Sequence, residues 1–220
     1  MEMVASLSQI QTISLHQLFF PTVMQSLLTG FLHSLKAPSQ VVIASQFSKR
    51  YSSSLLLPSL KQLLTTGNVA KLDLESDLLV ANSAIGDFHL QIAAHQNNYQ
   101  IASCNKEQID LFIQHYFANH LVPLWELLAK LTGIKTAVLW ENTYVYIAWA
   151  CLQQVGTPQA KEHFLYLTKE APGSLFGLDA NPFVVFSAVR QVERRRHCCL
   201  YKLLPSANGE KCSNCPLHCR

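Results

Sequence analysis

The stretch NKEQIDLFIQHYFANHLVPLWELLAKLTG, residues 105–133, decides the fold class. Asn105 followed three residues later by Gln108 is a helix-start signal, in which each side chain caps the other's backbone N–H. Ile109, Phe112, Ile113, Tyr116, Phe117, Leu121, Leu124, Leu128 and Leu131 then recur at helical spacing. Gly133 ends the run, and Pro123 is expected to bend it. The spacing therefore predicts a long helix with one apolar face.

Working toward the N-terminus, the period changes. Between Val69 and Ala93, Lys71, Asp73 and Glu75 alternate with Leu72 and Leu74, and Phe88, Leu90 and Ile92 alternate with His89 and Gln91. A period of two fits half-buried antiparallel strands, so a small sheet is expected around residues 69–93. Further back the helical period returns. One helix is expected to start near Pro21 and reach about Leu35. Another follows Pro38 and carries Ile43, Phe47, Tyr51, Leu55, Leu56, Leu60, Leu63 and Leu64 to Gly67, with Pro58 expected to kink or split it. Working toward the C-terminus, helices are expected over Thr136–Val155 and Gln159–Lys169, then a loop over 171–183 rich in Pro, Gly, Asn and Asp. The expected class is α+β: a mainly α-helical body with a small antiparallel sheet and an irregular C-terminal segment. The expected division is a body over 1–190 and a tail over 191–220.

Composition narrows the function. The chain has 220 residues, 49% hydrophobic and only 14% charged, where an average domain has roughly 25% charged residues. Such a chain folds compactly and leaves room for apolar surface, so peripheral membrane contact is compatible with it. The net charge of +3 gives no reason to expect a nucleic-acid partner. Glu2 and the lack of early Lys or Arg do not fit a signal peptide. Ala137–Leu152 comes nearest to a membrane span, but Glu141 and Asn142 interrupt it. A cytoplasmic location is expected, where disulfides are rare.

Five of the seven cysteines nevertheless crowd into the last tenth of the chain: Cys198, Cys199, Cys212, Cys215 and Cys219. In a reducing compartment such clustering points to metal or redox work. Cys212 and Cys215 form a C-x2-C pair suited to zinc. Cys198 and Cys199 are adjacent, and neighbouring side chains of an extended backbone point apart. Bringing both onto one ion demands an unusual local bend. A [2Fe–2S] cluster spreads four thiolates over two irons and relaxes that demand. Spacing alone leaves zinc, iron–sulfur and a redox dithiol open. His197 and His218 flank the cysteines as further donors. Cys104 and Cys151 are isolated in helical context and read as buried core thiols.

The tail RRRHCCLYKLLPSANGEKCSNCPL, residues 194–217, resembles the C-terminal signature of the FhuF-type ferric-siderophore reductases: an Arg-led adjacent Cys pair, a loop, then C-x2-C followed by Pro. ASQFSKRY at 44–51 resembles that family's K-R-Y region, and VLWEN at 138–142 its L-W-x-N segment. The loop here has twelve residues rather than about ten, a small change in closure cost, and Cys219 is an additional thiol.

The resemblance implies a [2Fe–2S] cluster on Cys198, Cys199, Cys212 and Cys215, which passes one electron to a ferric siderophore and releases Fe(II). Such an oxidoreductase would work in the cytoplasm, at most at the inner face of the membrane. Its electron would come from an external donor of ferredoxin, flavodoxin or flavin-reductase type. Lys49, Arg50, Arg194, Arg195 and Arg196 are the candidate substrate-binding cations, with a solvated basic face as the simpler reading. Trp140 and Tyr144 read as core or pocket wall, and Asn142 as a hydrogen-bonding residue of unassigned partner. The alternatives are a non-catalytic zinc-binding interaction module and a siderophore-binding protein without turnover. No P-loop, G-x-S-x-G or GxGxxG motif is present.

Overall fold

The structure is a computed structural model that describes residues 11–69, 72, 74–75, 78–84, 87–93, 104–187 and 194–218. The 190/191 division, Cys219, Lys71 and Asp73 lie outside these residues.

Helices form the body. After a 3₁₀ turn at His16–Phe19 come α1, Pro21–Ser34, and α2, Gln40–Thr66. Pro21 opens α1, where its missing N–H costs nothing. Gly67 closes α2 at φ 71°, donating its N–H to the Leu63 carbonyl. Pro58 does not split α2, contrary to one sequence expectation. It sits on the exposed side, where water can take the carbonyl that loses its partner. Leu55, Leu56, Leu60 and Leu63 around it are buried, at roughly 1.5–3 kcal/mol each, against about 3 kcal/mol for an interior proline.

Three short strands pair antiparallel in the order β1-β2-β3: Gln11–Ser14, Leu78–Ala84 and Asp87–Ala93. Thr12 lies opposite Val80, and Val80 opposite Gln91. The first strand comes from well before residues 69–93. Arg50 of α2 ties the third strand to the body. Its Nε donates to the Phe88 carbonyl at 2.8 Å, and its guanidinium lies 4.4 Å from the Phe88 ring centroid.

The long helix predicted from residue 105 starts as expected, with Asn105 and Gln108 forming a reciprocal capping box at α3, Lys106–Phe112. Its middle differs. Residues Ile113–Leu121 form π-helical turns, and α4 then runs Val122–Thr132 to Gly133. The cause is Pro123, whose ring would collide with the Asn119 carbonyl in an α-helix. The Val122 N–H instead reaches back five residues to the Phe117 carbonyl, the wider turn.

The next helix, α5, spans Thr136–Trp149 and continues in π turns to Val155; α6, Pro158–Leu165, follows, with π turns to Glu170. Residues 171–183 hold a 3₁₀ turn, Gly173–Phe176, and α7 is a short piece at Val184–Ser187.

Helices α2 and α5 are the packed centre. Six consecutive residues of α5, Leu139 to Tyr144, are buried, so this helix has no solvent face along that length. That explains why its sequence nearly reads as a membrane span, although no described helix is long and apolar enough to cross a membrane. Trp140 packs edge-on against Phe183, and Tyr144 sits among Phe164, Phe183 and Phe186, so both are core.

His120, in the π turns, is fully buried between Phe19 and Tyr51, and its Nε2 bonds the Tyr51 hydroxyl. Burial pushes its pKa from 6.5 down to about 3. The unfolded chain therefore binds a proton at His120 below about 6.5 that the folded chain refuses until about 3. Stability should fall as pH drops through that window, at about 1.4 kcal/mol per unit from this residue, with no contribution above it. Between pH 6.5 and 5 the loss is about 2 kcal/mol. Urea unfolding followed by helical circular dichroism should show it, and His120→Gln should flatten the slope. An equal slope in both proteins would remove His120 as the cause.

Candidate metal centre

The C-terminal segment has little regular structure: the 3₁₀ turn Tyr201–Leu203 folds against α2, and a second, Pro205–Ala207, follows. Leu204 and Ala207 anchor it in the apolar core. The bend demanded by the adjacent cysteines is present. Leu200, immediately after them, has φ 61°, a left-handed conformation that costs a non-glycine residue about 1–2 kcal/mol. Its N–H turns back to the Cys198 sulfur at 3.4 Å.

The same bend gathers the thiols. Cys199 Sγ lies 3.5 Å from Cys212 Sγ. Two thiolates on one tetrahedral metal, with bonds of about 2.3 Å, would be about 3.8 Å apart. Cys198 lies beside Cys215, whose side chain adds to the rise in its pKa caused first by burial. The four thiols thus lie close together, with Cys199 and Cys212 in contact and Cys198 near Cys215. Among the described residues no three His, Cys, Asp or Glu side chains converge on a single ion position. Cys199 and Cys215 are buried, and Cys198 and Cys212 half-buried.

The electrostatics favour thiolate at one member. The hydrogen bond from Cys212 holds the Cys199 thiol down to about 5 against its burial, helped by Lys49 and Arg195. Giving that hydrogen bond, together with burial, pushes Cys212 up. A low-pKa thiol beside a second thiol is a strong soft-metal donor set.

Polar residues inside the helical body hold this loop. The Cys199 carbonyl accepts from Ser45 Oγ at 2.8 Å and from Gln46 Nε2 at 2.6 Å, both from α2. Behind Ser45 stands Asn142 of α5, whose Nδ2 donates to the Ser45 carbonyl at 3.0 Å, to Ser45 Oγ at 3.3 Å and to Ser48 Oγ at 2.8 Å. Behind Gln46 stands Arg50, whose Nη1 donates to Gln46 Oε1 at 3.2 Å. Glu141, buried next to Asn142, accepts the Arg196 N–H at 2.5 Å, the His197 N–H at 2.7 Å and contacts His197 Nδ1 at 2.9 Å. Buried acceptors and donors are expected to be paired in this way.

The candidate cations separate sharply. Arg195 is 5% exposed and donates from Nη2 to Asn142 Oδ1. Arg194 closes the tail, donating to the Pro216 and His218 carbonyls at 2.8 Å each. Arg196 is exposed. Lys49 is half-buried, its Nζ 5.3 Å from the Tyr201 ring centroid, and its charge reaches Cys199 and Cys212. Arg50 serves the Phe88 strand as described. His218 Nε2 bonds the Cys212 carbonyl at 2.8 Å. Tyr51 is core. Cys104 and Cys151 are buried, and burial raises both thiols, to about 11 and about 12.

Sequence reasoning missed Ser45 and Gln46 as loop anchors, and saw Glu141 only as an interruption. The available signal was polar residues at inward positions of two otherwise apolar helices.

In comparison with known proteins, residues 45–197 match a family model described as ferric iron reductase FhuF-like transporter. The match covers more than half of the chain, begins at Ser45 and ends one residue before Cys198. No curated protein and no solved structure matches the chain.

Proposed function

Since the chain belongs to the FhuF-like ferric iron reductase family, we propose that it is a cytoplasmic ferric-siderophore reductase whose electron passes through a [2Fe–2S] cluster on Cys198, Cys199, Cys212 and Cys215. The observation that carries the reading is the clustering of the four thiols, with Cys199 and Cys212 at 3.5 Å. The donor set fits: four cysteines close together, with one sulfur already favoured as thiolate.

When bound, the cluster supplies a one-electron carrier with four soft ligands. The substrate chemistry follows from ligand hardness. Siderophore oxygens hold hard Fe(III) tightly and softer Fe(II) far less so, so adding one electron releases the metal. The protein residues do the rest. Ser45 and Gln46 fix the Cys199 backbone, and Glu141 fixes the two N–H groups that precede Cys198. Leu203 and Leu217 are exposed apolar residues on the same segment. Arg196, Lys49 and Lys202 are the cations best placed to attract an anionic ferric complex. Arg50, Arg194 and Arg195 make protein contacts and contribute charge. The electron enters from an external one-electron donor of ferredoxin, flavodoxin or flavin-reductase type.

Purification without oxygen tests the proposal. About two irons and two acid-labile sulfides per chain are expected, with an EPR signal on reduction. Reduced protein mixed with a ferric siderophore should give Fe(II) captured by a ferrous chelator. Zinc without labile sulfide would overturn the proposal in favour of an interaction module. A loaded protein that binds the siderophore yet yields no Fe(II) would make it a carrier.

A further inference from the structure

We propose that Arg195 is the fixed counter-charge that sets the reduction potential of this centre, its buried guanidinium lending positive charge and an N–H donor to the sulfurs held by the four cysteines. The proposal rests on the iron–sulfur reading above.

Three consecutive arginines precede the cysteines, and only Arg195 is buried. Its position ties both cysteine motifs together. Its backbone N–H donates to the Asn214 carbonyl, between Cys212 and Cys215, at 2.9 Å. Its Nη2 donates to Asn142, which bonds Ser45, which in turn bonds the Cys199 carbonyl.

A buried guanidinium normally has a carboxylate partner, because it cannot lose its proton. Arg195 has none among the described residues: the carboxylate of Glu141 is occupied by Arg196 N and His197. Moreover, Arg195 Nε is buried and without a hydrogen-bond partner. Beyond Asn142, the described residues offer neither a counter-charge for this cation nor an acceptor for its spare donor, and its backbone holds it beside the cysteine loop. An anionic sulfur shell supplies the missing charge and acceptor.

The consequence is a potential. Reduction adds one negative charge to an already anionic centre, so a nearby cation favours the reduced form. Arg196, exposed to water, is screened from doing the same.

The test is a redox titration of the anaerobically purified full-length protein, comparing wild type with Arg195→Met, Arg195→Gln, Arg195→Lys and Arg196→Met. Arg195→Met and Arg195→Gln should lower the midpoint, changing the reduced-to-oxidised ratio at fixed potential tenfold or more, about 59 mV for one electron. Arg195→Lys, which keeps the charge, should shift less than half as far, and Arg196→Met should hardly move. A wild-type potential in the loaded Arg195→Gln protein, or a shift no larger than that of Arg196→Met, overturns the proposal. If neither neutral variant loads iron, Arg195→Lys decides through its EPR spectrum: changed g values support the Nε hydrogen bond, unchanged ones overturn it. Wild type without labile sulfide would instead sink the iron–sulfur reading itself, and Arg195 with it.

Discussion

Cys199→Ser should leave the protein folded and without a reducible centre. Iron and labile sulfide should fall below a tenth of the wild-type content, and the EPR signal of the reduced protein should vanish. Cys199 is the most constrained of the four thiols. It is 1% exposed, its carbonyl is held by two donors from α2, and its sulfur sits 3.5 Å from Cys212. A serine hydroxyl there is a hard donor that stays protonated at neutral pH, so it cannot replace a soft thiolate. The backbone bonds to Ser45 and Gln46 do not depend on the side chain, so helical circular dichroism should be unchanged. Cys219→Ser is the control: if the four assigned cysteines suffice, it keeps full sulfide content. A Cys199→Ser protein with wild-type sulfide would remove Cys199 from the ligand set.

Much of the body was legible because its signals are local. The capping box at Asn105 and Gln108, the proline that opens α1, and the glycines at 67 and 133 each act within one helical turn. The cysteine cluster was legible for a different reason, since crowding of a sparse residue needs no structure to be noticed. What escaped depends on partners far along the chain. Nothing near Gln11–Ser14 says that it pairs with residues 78–81, because four residues carry too little alternation to mark a strand. Pro58 obeyed its burial context rather than its own preference, and Pro123 moved its disturbance into the preceding turns.

The arginine run shows the limit most clearly. Arg194, Arg195 and Arg196 are identical in sequence and lie in an irregular segment, where no period separates inward from outward positions. Their fates are set by carbonyls of the tail, by Asn142 on α5 and by water. The same holds for Glu141 and Asn142. In a helix with no solvent face, polar residues must meet polar partners, and here those partners are supplied by α2 and by the tail. Two residues that looked like breaks in an apolar run are the points where body and cysteine segment join.

Asn142→Ala should therefore uncouple the tail from the body, and the effect should be large. Asn142 is fully buried, and its Nδ2 serves the Ser45 carbonyl, Ser45 Oγ and Ser48 Oγ while its Oδ1 accepts from Arg195. Truncation removes the acceptor of a buried cation and leaves the hydroxyls of α2 without their donor. Each buried donor or acceptor left without a partner costs about 1–3 kcal/mol, and a charged donor costs more. Urea unfolding should show a loss of that order, and the loaded fraction should drop at least tenfold because Ser45 no longer holds Cys199 in place. Asn142→Asp separates the two halves of the role. A carboxylate still accepts from Arg195, but it cannot donate to the Ser45 carbonyl and brings a second buried acceptor against it. That variant should retain more stability than Asn142→Ala yet still lose metal content. Trypsin supplies an independent reading, since release of the tail exposes the bonds after Arg194 and Arg196, and cleavage there should accelerate in both variants. Full metal content in Asn142→Ala, with trypsin cleavage unchanged, would show that the tail holds its geometry without α5.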